Sequence, residues 1–200
     1  MVRSVVVVAH PDDEVLFFGG LVLSQSDHDW TIVCCSVPRV DPIRAWKFFD
    51  ACEALRAAGA RVSGRLLPYQ EPEPDQPLEN ERMALLNLAS HDRIVTHGIE
   101  GGYGHVHHKA LHAFIHSRWG MKEIWSDCPP GKTDCKTEIR LSPQQLNAKL
   151  AALKAYDHVL PYQGVAMTKW QALLKRYCED GSWDLAVERY RISAPRPITS

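Results

Sequence analysis

The sequence predicts an α/β fold: a Rossmann-like, mostly parallel sheet with helices on both faces. Three observations predict it. Apolar runs of strand length alternate with segments of helical length along most of the chain. The connections between them are short. The first run, R-S-V-V-V-V-A, has no polar alternation, which suits a strand covered on both sides.

Taken in order, Arg3 to Ala9 reads as that first strand, and Val15 to Ser24 has helical length and apolar recurrence. Asp29 to Cys35 is a second strand. S-V-P-R-V-D-P is a loop, and Arg44 to Ala58 a helix stopped by Gly59. Val62 to Leu67 is a third strand. Pro68 to Pro77, rich in proline and acids, reads as an exposed loop, and Leu78 to Ala89 as a helix. Arg93 to Thr96 is a fourth strand, followed by a glycine-rich loop from Gly98 to Gly104 and a helix from about His105 to Arg118. Glu123 to Trp125 and Lys136 to Arg140 read as extended. Pro143 to Tyr156 is a helix, with Ser142 placed to cap it and proline at its first position.

Two hundred residues suit a single domain, 1–200, with a loose tail at 195–200. A formal net charge of −1, from 23 basic and 24 acidic residues, argues against broad attraction to nucleic acid. No apolar run is long enough for an integral membrane segment, and residues 2–9 are too short for a secretory core. A cytoplasmic location is expected, and a homo-oligomer remains possible. The cysteines include no C-x-x-C pair. Cys34, Cys35 and Cys52 read as buried free thiols, and Cys128 and Cys135 as reduced loop cysteines. Trp125, Trp170 and Trp183 read as core or interface aromatics.

The first strand runs directly into A-H-P-D-D-E, Ala9 to Glu14. Charges beside a core strand are costly unless paired, so a metal, a capped helix start or an active site is implied. Ligands of open α/β sheets sit beyond the carboxyl ends of strands. The next comparable position reads T-H-G-I-E-G-G-Y-G-H-V-H-H. Six of the ten histidines fall between His97 and His116. Imidazole and carboxylate together suit zinc. Helical spacing allows His105 with His108, or His108 with His112, and does not choose between them. His107 is not excluded by spacing, and His112 and His116 read as ordinary helix-face residues. No nucleophile elbow or phosphate-binding loop is present.

A-H-P-D-D-E together with Gly104-His105-Val106-His107-His108 resembles the two-part signature of the PIG-L/LmbE-like zinc-dependent N-deacetylases. The resemblance implies Zn2+ held by His10, Asp13 and His108. It implies Asp12 as general base and His105 as the group beside the reacting carbonyl. The implied substrate is an N-acetylated amino-sugar small molecule or glycoconjugate. The sequence departs from that family where Val106-His107 replaces proline-aspartate, so His107 is expected to tune His105. It departs again where Phe48 follows Arg44 in place of a glutamate. Arg44 and Tyr103 are candidate substrate contacts. An amidase acting on a non-sugar metabolite, or a sugar-binding protein without turnover, would use the same residues.

Overall fold

The computed structural model describes residues 1–37, 39, 41–84, 86–129, 132–156 and 185–195. Its centre is a seven-stranded sheet: β1 Arg3–Val8, β2 Asp29–Cys34, β3 Arg61–Leu66, β4 Arg93–Thr96, β5 Glu123–Asp127, β6 Thr137–Arg140 and β7 Val187–Ser193. The order is β3-β2-β1-β4-β5-β7-β6, parallel through the first five positions and antiparallel at β7. The chain builds outward from β1 to β3 and then returns to the other side of β1 with β4. The gap between the carboxyl ends of β1 and β4 is therefore the topological switch point, where open α/β sheets bind ligands.

The valine run of β1 explains the two-faced core. Val6 and Val8 point into one apolar cluster, with Phe18, Leu21, Phe48 and Leu55; Val5 and Val7 point into the other, with Leu86, Leu111 and Ile115. The first face is covered by α2 Gly19–Ser24, α3 Ile43–Ala57 and α5 Pro143–Leu153, after the single turn α1 Asp13–Leu16. The second carries α4 Val106–Trp119 and a one-turn helix at Asn80–Met83. α5 begins as expected: Ser142 accepts the Gln145 N–H at 3.2 Å, and the Gln145 side chain accepts the Ser142 N–H at 2.9 Å.

Several expectations are corrected. The helix expected over 15–24 is broken at Phe17–Phe18, whose rings both pack into the first core cluster. The helix expected over 78–89 shrinks to one turn ending at Met83, and Leu78, Leu86 and Leu88 reach the second core from irregular backbone on either side. β7 was not expected. Glu188 inside it is buried and accepts the N–H groups of Gly20 and Leu21 at 2.7 and 2.8 Å, with Lys149 Nζ at 2.6 Å. Cys128 and Cys135 are joined as a disulfide, not left as free thiols. β7 pairs with β5 on one side and β6 on the other, so the connection between those strands folds back on itself and brings the two Cα atoms to 6.0 Å. Cys34, Cys35 and Cys52 are buried and unbonded, and Trp125 is buried. Trp170, Trp183 and the tail from 196 lie outside the described residues. Among the described residues no helix is long and apolar enough to cross a membrane.

Candidate metal centre

Beyond Val8 the chain turns within a few residues. Asp12 sits at φ 114°, the only non-glycine residue with positive φ among those described. That conformation is strained for an L-residue and persists only where its surroundings hold it. Here they do. The Asp12 N–H donates to Glu14 Oε2 at 2.8 Å, the Asp12 carbonyl accepts the Leu16 N–H at 3.0 Å, and Ser36 donates to the Ala9 carbonyl at 2.7 Å. The turn leaves His10, Asp12 and Asp13 all buried at the carboxyl edge of the sheet.

The second segment arrives after β4. The Gly98 N–H donates to Asp127 Oδ1 at 2.6 Å, and the chain then turns through Gly101, Gly102 and Gly104, all at positive φ. His105 caps α4: its Nδ1 accepts the His107 N–H at 3.2 Å. A neutral imidazole that accepts at Nδ1 carries its proton on Nε2. The first turn of α4 then sends His107 and His108 inward, both fully buried.

Three donor atoms meet from these two segments. His10 Nδ1 lies 3.2 Å from Asp13 Oδ2, His108 Nε2 lies 3.2 Å from the same oxygen, and the two nitrogens are 3.3 Å apart. Ligands about 2.0–2.1 Å from a tetrahedral zinc lie about 3.3–3.4 Å from one another, so this near-equilateral triangle fits one face of such a site. Burial pushes the pKa of both His10 and His108 down, which keeps their lone pairs available. The pairing of His108 with His105 as joint ligands, left open by spacing, is not what forms. His105 instead groups with His10 and His107.

Around the triangle sit the remaining candidates. Arg44, in the first turn of α3, forms an ion pair with Asp12. Tyr103 packs edge-on to His105 and His108, with ring centroids at 5.7 and 5.4 Å. Burial, reinforced by His108, pushes His105 down to about 3. His112 donates to, or accepts from, nothing in the triangle; its Nδ1 lies 2.9 Å from the His97 carbonyl.

Sequence reasoning left four neighbours without a role. His97 stacks on His108 at 3.7 Å and reaches Asp13 Oδ2 at 3.3 Å. Asp127 Oδ1 lies 3.6 Å from His97 Nδ1. His97 follows β4, the neighbour of β1, and Asp127 ends β5, the next parallel strand; their place at carboxyl strand ends could have singled them out. Glu14 is fully buried against the Tyr156 hydroxyl, and burial raises its pKa to about 8. Glu71 comes from the loop expected to be exposed, with Oε1 3.2 Å from His10 Nε2. That loop is fastened inward because the Val37 N–H donates to the Tyr69 carbonyl and the Glu71 N–H to the Val37 carbonyl, at 2.6 and 2.8 Å.

Residues 5–118 match the family model "PIG-L: GlcNAc-PI de-N-acetylase", and the chain belongs to that family. A 1D-myo-inositol 2-acetamido-2-deoxy-alpha-D-glucopyranoside deacetylase from Corynebacterium efficiens is 25% identical over 180 residues, 68% of this chain and 56% of that protein. The same-named protein of Corynebacterium glutamicum is 25% identical over 158 residues, 61% of this chain and 54% of its own length. The chain thus spans about half the length of the curated relatives it matches. Among solved structures, N,N'-diacetylchitobiose deacetylase from Pyrococcus horikoshii superposes with a TM-score of 0.67 at 16% identity, covering 98% of this chain and 87% of that one. The 4-carboxy-2-hydroxymuconate hydratase GalB of Pseudomonas putida gives 0.55 at 17% identity, covering 100% and 99%. The fold is shared by both, and they differ in reaction.

Proposed function

We propose that this chain is a zinc-dependent N-deacetylase that removes an acetyl group from an amino-sugar-containing small molecule or glycoconjugate. The observation that carries the reading is the donor triangle of His10, Asp13 and His108 with a second carboxylate, Asp12, directly beside it. The de-N-acetylase activity for which the family is named and the acetamido-glucopyranoside substrate of the corynebacterial relatives support the choice of an N-acetylated sugar. A zinc ion held by the three residues would polarise an amide carbonyl and make a water more acidic.

The residues of the chain divide the remaining work. Asp12 takes a proton from the attacking water as the new carbon–oxygen bond forms. The proton then passes to the amide nitrogen as the carbon–nitrogen bond breaks, leaving acetate and a free amine. His105 presents Nε2–H toward the reacting carbonyl. Its low pKa keeps it a neutral donor, which stabilises a developing oxyanion without a proton transfer of its own. Arg44 holds Asp12 before substrate arrives. A sugar hydroxyl that engages the guanidinium releases the carboxylate for its role as base. Tyr103 and Phe17, stacked at 6.4 Å, form an aromatic wall beside His105.

Acetate release from N-acetylglucosaminyl compounds and from non-sugar acetamides, with and without zinc, tests this reading. Zinc-dependent release confined to the sugar panel is expected. Release from the non-sugar amides alone, or none from any substrate at full zinc occupancy, would overturn it.

A further inference from the structure

The ring of His107 is turned toward His10. His10 Nε2 and His107 Nδ1 are 2.7 Å apart, and His107 Nε2 lies 3.2 Å from the main-chain carbonyl of Glu73. The direction of this chain of contacts follows from its far end. A carbonyl oxygen can only accept, so His107 Nε2 carries the proton, and in the neutral ring His107 Nδ1 is bare. The bare Nδ1 can in turn only accept, so His10 carries its proton on Nε2. His10 Nδ1 is then the free lone pair, and it is the atom that faces Asp13 and His108.

We propose that His107 is a positioning residue: anchored by the Glu73 carbonyl, it accepts from His10 Nε2–H and so fixes the tautomer and ring orientation in which His10 offers Nδ1 to the metal. The inference rests on the zinc reading above for its purpose, but the tautomer it assigns belongs to the metal-free protein. Histidine ligands commonly donate their second N–H to a carboxylate or carbonyl that orients them. Here a second imidazole stands between the ligand and the carbonyl. The replacement of the resembling family's proline-aspartate by Val106-His107 supplies that imidazole.

Three contacts compete for the assignment. Asp13 Oδ2 lies 3.2 Å from His10 Nδ1 and would draw a proton there, but His97 and His108 also reach that oxygen, at 3.3 and 3.2 Å, and the His107 contact on Nε2 is the shorter. Glu71 Oε1 is also within reach of His10 Nε2, at 3.2 Å, and lies 3.9 Å from His107 Nδ1. The longer contact makes it the lesser partner. A second metal among His10, His105 and His107 is disfavoured by the same proton positions. His10 Nε2 and His105 Nε2 both carry protons, and 2.7 Å is hydrogen-bond separation.

The test has a metal-free arm and a zinc arm, both on the full chain. Nitrogen-15 correlation spectra of the metal-free protein report which ring nitrogen of each histidine is protonated. His10 and His107 are expected as Nε2–H tautomers in the wild type. A His10 proton on Nδ1 would overturn the proposal without any mutation. In the zinc arm, His107→Ala should weaken zinc binding about 10–100-fold in a chelator competition. His107→Asn, whose Oδ1 can stand where Nδ1 was, should recover most of that loss, and Glu71→Ala should cost less than His107→Ala. Unchanged zinc affinity in folded His107→Ala would sink the idea, as would a full loss in Glu71→Ala alone. If His107→Ala does not fold, the wild-type tautomers and the Asn variant still decide. A wild type that binds no zinc yet shows both tautomers would defeat the zinc reading and leave the relay standing.

Discussion

From Ala9 to Glu14 every residue is buried, and the turn hangs on one strained aspartate held from several sides. From Gly98 to His108 the chain turns on glycines instead, and Ile99 within it is 61% exposed. The first segment brings two of the proposed ligands and the proposed base. The second brings the third ligand and the proposed oxyanion donor. Side chains that must hold charge in a fixed place come from a locked backbone. The proposed oxyanion donor comes from the looser one, looser in that glycines shape its turn and Ile99 within it is exposed.

The sharpest way to break this contrast is at Asp12. Asp12→Asn keeps the shape of the turn but removes the proton acceptor, and should lower acetate release about 10²–10⁴-fold with zinc retained. Near-native turnover at confirmed zinc occupancy would move the base elsewhere. On the looser segment, His105→Ala should keep zinc and slow cleavage about 10²–10³-fold, the usual cost of one oxyanion donor. Steady-state rates at saturating substrate check it, and a pure KM effect would recast His105 as a substrate contact.

The glycines sharpen the comparison by stability alone. Gly101 has φ 71°, and a methyl group there would meet the His105 carbonyl at 2.6 Å. Gly104 has φ 97° with open space around it. Gly101→Ala should therefore lower the thermal midpoint more than Gly104→Ala, which carries backbone strain of about 1–3 kcal/mol and no clash. Equal shifts would mean that the close approach at Gly101 is easily relieved.

The last effect, read against pH, is expected at Glu14. Its carboxyl is raised from an ordinary value of 4.5 to about 8 by burial. The folded state then holds a proton that the unfolded state has lost, and stability falls as pH rises from about 4.5 toward 8. Glu14→Gln mimics the protonated form, so its midpoint should fall less over that window. Parallel curves for the two proteins would show that Glu14 is ionised in the fold.

The parts of this arrangement that were legible in sequence are those written in adjacent residues. The valine run announced a strand covered on both faces, and the two histidine-bearing segments stood at strand ends, where the fold places them. What escaped depends on contacts between distant residues. β7 reads V-E-R-Y-R-I-S, with Val187 out of step with Tyr190 and Ile192, and its inward Glu188 makes sense only beside Lys149 and the start of α2. β7 also steadies the looser segment, since Arg191 grips Glu100 with two bonds of 2.9 and 2.7 Å. Glu71 reaches the site only because Val37 pairs with the loop beside it. The broken helix at Phe17–Phe18 follows from two aromatic rings being needed in one core, which helical periodicity does not anticipate.

The central claim is that the two segments meet on one metal ion. Metal content of purified, folded His10→Ala and His108→Ala tests it directly, because each variant removes one proposed ligand from a different segment. Both should lose most of the zinc bound by the wild type, with the fold confirmed by circular dichroism. Full stoichiometric zinc in both would contradict the account.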